Sequence, residues 1–157
     1  IKLNSLQDKE FIESLYDASQ AGVPIKLIIR GICCLRPGRK GLSENIEVIS
    51  IVGEYLEHSR IYYFHHGGEP KVYIGSADAM VRSFDRRIES LFLLEQASLK
   101  KQAMNILRYN LMDNVNAYTL KEDGRYVIKE QNGEPPFNIH KEFYNVTNDV
   151  FQDIHLF

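Results

Sequence analysis

The chain has 157 residues, 44% of them apolar and 25% charged, an ordinary globular balance and not a disordered one, which suits one compact domain with a single core. Its net charge of −2 argues against a general nucleic-acid-binding surface. No apolar run reaches the length of a transmembrane helix, and no signal peptide opens the sequence.

The chain begins at Ile1 within a pattern already under way, and is read as a segment of a longer protein. Ser5-Leu6-Gln7-Asp8 has the form of a capping box, and Phe11, Ile12, Leu15 and Tyr16 follow at helical spacing up to a stop at Gly22. Ile25 to Arg30 is a β-branched run suited to an interior strand, ended by Gly31 and a loop holding Pro37, Gly38 and Gly41. Within that loop the adjacent Cys33 and Cys34 suit neither a mutual disulfide nor a zinc site, and a reducing cytoplasmic setting is expected, with peripheral association at a membrane left open. From Asn45 to His58, Ile46, Val48 and Ile49 read as strand, whereas Val52, Tyr55 and Leu56 fit a short helix ending near His58. Ile61–Phe64 and Lys71–Ile74 flank a Gly67-Gly68 turn and predict a hairpin. Ile88 to Leu94 reads as a further strand, and residues 96–112 as a helix with Leu99, Ala103, Ile106 and Leu107 on one face. A second hairpin pairs Ala117–Leu120 with Tyr126–Ile128, and after Pro135-Pro136 the residues Ile139, Phe143, Val146, Val150 and Ile154 recur at helical spacing. Strands interleaved with helices predict an α/β fold, a mixed β-sheet flanked by helices. Residues 1–134 are expected to form the domain, with 135–157 a C-terminal helical segment packed on it or extending from it.

Charge is unevenly spread. Residues 30–87 hold nine Lys and Arg against seven Asp and Glu, while 1–29 and 88–157 are both acidic on balance. Seven of the nine arginines lie in that middle stretch: Arg30, Arg36, Arg39, Arg60, Arg82, Arg86 and Arg87. The planar guanidinium fork suits phosphate oxygens, so a local anion site is expected; the plainer reading of any one of them is a solvated surface charge.

Arg30 closes a strand at the carboxyl edge, where α/β sheets bind ligands, although a salt-bridging arginine would fit the same position. His58, two residues before Arg60, can put imidazole and guanidinium on one side; a lone histidine is more often simply satisfied by a neighbour such as Glu57. Gly75-Ser76-Ala77-Asp78 comes off a strand as a turn offering N–H groups and a hydroxyl to an anion, and Asp78 could orient a histidine or hold an arginine. Arg82 and Asp85-Arg86-Arg87 add cations nearby, at least one of them expected to pair with Asp85. His65-His66 reads as an exposed hairpin tip, and no protein-borne metal site is assigned. No Gly-rich phosphate loop occurs, so phosphate handling here would fall to arginine and histidine.

Several strings occur in an order that resembles the polyphosphate kinase family: residues 27–38 (Leu27-Ile28-Ile29-Arg30-Gly31 onward), Gly41-Leu42-Ser43-Glu44-Asn45-Ile46, Leu56-Glu57-His58-Ser59-Arg60 and Tyr73-Ile74-Gly75-Ser76-Ala77-Asp78-Ala79-Met80. The likeness runs from about Asn4 to Phe92, continues more loosely to about Ile128, and fades in the last thirty or so residues. Ala79 departs from the pattern, standing where the family places a large aromatic. The resemblance implies a phospholipase D-like fold. His58-Ser59-Arg60 and Gly75-Ser76 are similar to that superfamily's His-x-Lys and Gly-Ser signatures, with arginine for lysine. It further implies reversible transfer of the terminal phosphate of ATP to polyphosphate, with Mg2+ and through a phosphohistidine. The nucleophilic histidine and the Mg2+ ligands would belong to a preceding domain. By that pattern Arg30 and His58 contact ATP, with His58 as catalytic acid/base or phosphate ligand. Arg60, Ser76, Asp78, Arg82 and Arg87 would line the phosphate path. Partners implied are ATP, ADP, polyphosphate, the preceding domains and further copies in a homo-oligomer, with no nucleic acid. Two other readings stay open: a phospholipase D-like phosphodiesterase or nuclease half-site, and a non-catalytic polyanion-binding module.

Overall fold

In the computed structural model, which describes residues 1–145, the strands form one mixed sheet between helices, the α/β architecture expected from the sequence. The strands are β1 (Lys2–Leu3), β2 (Ile25–Ile29), β3 (Ile46–Ile51), β4 (Ile61–Phe64), β5 (Lys71–Gly75), β6 (Leu91–Leu93), β7 (Ala117–Leu120) and β8 (Tyr126–Ile128). Their spatial order is β6-β5-β4-β1-β2-β3-β7-β8. The central three, β1, β2 and β3, run parallel, and antiparallel hairpins extend both edges.

Alternation along the strands divides the core in two. Leu27, Ile29, Ile46, Val48 and Tyr62 pack on one face against Ile12 and Leu15 of α1 (Lys9–Gln20). Ile28, Ile49, Ile61 and Val72 pack on the other against Ala103 and Leu107 of α3 (Ala97–Met112), and against Ile139 at the start of α4 (Ile139–Asn145). Leu99, expected on the buried face of α3, is exposed, because the helix meets the sheet only from Ala103 onward.

Several local expectations are corrected. Asp8, not Ser5, caps α1: its side chain accepts from the Phe11 N–H at 2.9 Å, because Leu6 is fully buried and bridged in extended form to Cys33 and Ala79. β3 runs on to Ile51, and no helix follows it. Val52, Tyr55 and Leu56 are all at least half exposed on an irregular loop, and do not share the single buried face a helix would need. The strand expected from Ile88 shrinks to three residues with Ile88 fully exposed. Two elements were not foreseen, the two-residue β1 and the short α2 (Val81–Asp85). No ion pair joins Asp85 to Arg82, Arg86 or Arg87 among the described residues. Ala79 is buried, and its carbonyl accepts from the N–H groups of Gln7 and Asp8, so the backbone entering α1 lies close against it. His65 and His66 sit exposed at the hairpin tip, as expected. The C-terminal helical spacing is realised from Ile139 to Asn145; Val146, Val150 and Ile154 lie outside the described residues. Among the described residues no helix is long and apolar enough to cross a membrane.

Candidate functional site

Strand register builds the site. β1 pairs parallel with β2 with Leu3 opposite Ile29, so the residues that follow, Asn4 and Arg30, leave the carboxyl edge side by side. β4 runs antiparallel to β1 with Ile61 opposite Lys2, which brings the preceding residues His58, Ser59 and Arg60 to the same edge. β5 pairs with β4 with Ile74 opposite Ile61, so Gly75 and the turn to Asp78 leave there too. Four segments distant in sequence therefore open onto one edge, the edge where parallel α/β strands present ligand-binding loops.

Asn4 sits at their junction. Its Oδ1 accepts from Arg30 Nε at 3.0 Å, and its Nδ2 donates to the His58 carbonyl at 3.5 Å and to Asp78 Oδ1 at 3.3 Å. Asp78 Oδ1 also accepts the Asn4 backbone N–H at 2.7 Å, while Oδ2 takes Arg60 Nη2 at 3.0 Å. Arg60 Nη1 donates to the His58 carbonyl at 3.1 Å and lies 3.4 Å from His58 Nδ1. A guanidinium cannot accept, so this approach makes Nδ1 the acceptor and leaves Nε2 of the exposed imidazole to carry its proton. One feature leaves room for an anion: the terminal nitrogens of Arg30 take no acceptor among the described residues. Arg60 Nε, by contrast, is buried without a partner and closed to solvent.

The electrostatics match a charge-bearing site. Burial pushes the Asp78 carboxyl up, but the Arg60 hydrogen bond, the Asn4 N–H, the Arg60 charge and the Ser5 N–H together outweigh it and hold Asp78 below its ordinary range. Lys2 is 1% exposed beneath the edge. Burial lowers its ammonium pKa, Glu57 opposes the shift, and the nearby charges of Arg30 and Arg60 lower it further. Tyr62 donates to the Ala77 carbonyl at 2.9 Å and so pins the turn before Asp78; burial, then the Asp78 charge, pushes its phenol up to about 12.

The structure thus brings Arg30, His58, Arg60 and Asp78 together, with Asp78 holding an arginine and not a histidine. Ser76 lies to one side. Its hydroxyl donates to Glu89, and that bond, with smaller contributions from Ser83, Arg87 and Arg60, holds the Glu89 carboxyl below its usual range. Ser76 therefore bonds Glu89 and not Asn4, and the Arg87 charge acts on the same carboxylate. Arg82 is exposed on α2 with no ionic partner among the described residues. Sequence reasoning missed Asn4, Lys2 and Glu89. The only trace of the first two was the string Lys2-Leu3-Asn4, too short to show a strand's period.

Among the described residues no group of three or more His, Cys, Asp or Glu could hold a metal ion. The two carboxylates beside the His58 loop are spoken for: Glu57 binds His140 and Lys2, and Asp78 binds Arg60 and Asn4. A hard cation such as Mg2+ needs open oxygens, which these residues do not offer.

A family model described as polyphosphate kinase C-terminal domain 2 matches residues 1–140. The chain is 57% identical over 126 residues to a polyphosphate kinase of Synechocystis sp., covering 80% of this chain and 17% of that one. It is 49% identical over 148 residues to a polyphosphate kinase of Halalkalibacterium halodurans, covering 94% and 21%. The crystal structure of polyphosphate kinase from Porphyromonas gingivalis superposes with a TM-score of 0.88 at 42% identity, covering 92% of this chain and 22% of that one. The phospholipase D-like α/β class expected from the sequence is the fold shared with that structure. The chain spans about a fifth of the length of the curated relatives it matches. Its match along nearly the whole described length, on a sheet that gathers Arg30, His58 and Arg60 at one edge, makes it a member of the polyphosphate kinase C-terminal domain 2 family.

Proposed function

We propose that this chain forms part of the ATP- and polyphosphate-binding site of a polyphosphate kinase, which reversibly moves the terminal phosphate of ATP onto polyphosphate. Arg30 grips phosphate oxygens through its terminal nitrogens, Arg60 steadies His58 and lends its charge, and Arg82 and Arg87 carry the chain of phosphates away from the edge. Phosphoryl transfer asks little of a protein beyond positioning and charge neutralisation, which is what these residues supply. His58, with Nδ1 facing Arg60, presents Nε2–H to a phosphate oxygen, a hydrogen bond that strengthens as charge builds on the bridging oxygen that leaves with ADP; acting as a general acid, it would first take a second proton at Nδ1 and release Arg60. By the family resemblance, the nucleophilic histidine that carries the phosphate, and the groups that hold Mg2+, would belong to a preceding domain, and the bound metal would neutralise charge on the phosphates. Ser76 serves this reading least directly, because an incoming anion would have to displace Glu89 from its hydroxyl.

The observation that carries the proposal is the Asn4 side chain bonded at once to the Arg30 guanidinium and the His58 carbonyl. That shared anchor supports the reading that two residues twenty-eight positions apart act on one triphosphate. In the full-length enzyme, His58→Ala is expected to reduce polyphosphate synthesis by about 10²-fold or more, the scale of a lost acid/base group. Near-normal synthesis from ATP by that variant would refute the role.

A further inference from the structure

His58 and Arg60 sit on a loop, residues 52–60, that has no regular hydrogen-bonded structure of its own. A loop meant to hold an imidazole to within a fraction of an ångström needs an external support. The side chain of His140, 3% exposed, meets it at three points. Its Nε2 lies 2.8 Å from Glu57 Oε1, its Nδ1 accepts the Tyr55 N–H at 3.4 Å, and the Tyr55 ring stands edge-on to it at 5.5 Å. Because Nδ1 is an acceptor, the proton is on Nε2, so a neutral imidazole donates to the Glu57 carboxylate. The other Glu57 oxygen takes Lys2 Nζ at 3.1 Å, and Lys2 Nζ reaches the Ser59 carbonyl at 3.5 Å. The buried group is then one ammonium, one carboxylate and one neutral ring, balanced in charge and closed around the residue that precedes His58.

The loop also passes very close to the ring. A Cβ at Gly53 would lie 2.6 Å from His140 Nδ1, so only glycine lets the backbone in. The mounting is itself firm. Asp113, fully buried, accepts the Ile139 N–H at 2.9 Å together with the N–H groups of Val115 and Asn116. The His140 N–H donates to Asn138 Oδ1 at 3.0 Å, and that oxygen also takes Asn116 Nδ2 at 2.9 Å. A structural role in stability alone would be served by any apolar side chain of this size. An imidazole with both nitrogens bonded to successive parts of one loop fixes that loop's path instead.

From this geometry we infer that His140 is a positioning residue of the phosphotransfer site: through Glu57, and with Lys2 on the far oxygen, it fixes the loop that presents His58 and Arg60. The inference rests on the reading of His58 given above. It makes the C-terminal α4 a functional part of the site, although α4 supplies nothing that touches substrate.

The test is a double-mutant cycle in the full-length enzyme carrying this domain, with His140→Ala, His58→Ala and the pair, assayed for polyphosphate synthesis from ATP. His140→Ala is expected to lower kcat about 10²-fold, the scale for misplacing a reacting group by about 1 Å, with KM for ATP nearly unchanged. In the His58→Ala background it should cost much less, only the share that runs through Arg60, because residues that act as a unit are not additive. His140→Gln, which keeps an N–H toward Glu57, should recover most of the lost rate. A folded His140→Ala enzyme with ordinary kcat, or one whose loss is equally large without His58, overturns the inference. An inert His140→Ala beside an inactive His58→Ala enzyme sinks the positioning role alone, whereas a fully active His58→Ala enzyme sinks the functional reading beneath it. Should His140→Ala fail to fold, Glu57→Gln replaces it in the same cycle; the same non-additive loss supports the role, and ordinary activity overturns it.

Discussion

Asp78 shows how a single side chain sets the electrostatics of the edge. It is nearly inaccessible to water, and both of its oxygens are bonded to Arg60, Asn4 or Ser5. Its carboxyl is held below the ordinary 3.8 of an aspartate although burial alone would raise it. A carboxyl whose folded pKa is depressed contributes stability that is present above its unfolded pKa and lost as pH falls through the folded value. Asp78→Asn is therefore expected to cost about 3 kcal/mol at neutral pH, since it leaves the Arg60 charge largely buried and unpaired. The gap between wild type and variant should close as pH falls below 3.8. Urea unfolding midpoints from neutral pH down to about pH 2 measure this, and a gap that stays constant over the range would contradict it.

At the scale of elements, the β5–β6 edge depends on a single glycine. A Cβ at Gly75 would come within 2.2 Å of the Ser90 carbonyl and 3.1 Å of Leu91 Cα, both backbone atoms that cannot rotate away. Gly75→Ala should therefore push the two strands apart and cost about 1–3 kcal/mol, as overpacking does, with the loss concentrated at β6. Amide hydrogen exchange would locate it: faster exchange at Ser76, bonded to the Ser90 carbonyl, and at Leu94, bonded to the Val72 carbonyl, with β2 and β3 protected as before. The same segment carries Glu89, so this substitution should also disturb the Ser76 contact. The interior strands were readable because short runs rich in β-branched or aromatic residues leave little choice of structure, as at Ile25–Ile29 and Ile61–Phe64. The helix expected at 52–58 was misread for the opposite reason. Val52, Tyr55 and Leu56 have helical spacing but share no surface to bury against, and the loop is shaped by His140, which takes the Tyr55 ring and N–H, and by Glu57 instead.

At the scale of the molecule, two packed clusters, one on each face of the sheet, give this segment a core of its own. The isolated chain is expected to fold, with cooperative urea unfolding, yet to make no polyphosphate from ATP, because the phosphorylated histidine lies elsewhere in the proposed mechanism. Circular dichroism paired with a polyphosphate synthesis assay checks both halves, and synthesis by the isolated chain would overturn the division of labour. Composition, the strand and helix runs, and the strings around Arg30, His58 and Asp78 were enough to read the fold class, the family and the cationic character of the edge. These properties are written in windows of a few residues, where period, apolarity and local order of residue types are visible. Folding in three dimensions settled the rest. A two-residue strand inserted between β2 and β4 made Asn4 the link between Arg30 and His58, and α4 brought His140 back to Glu57 across 83 positions. No local pattern encodes such meetings, because they follow from strand register and from which face each helix covers, and those are fixed only when the whole core packs at once.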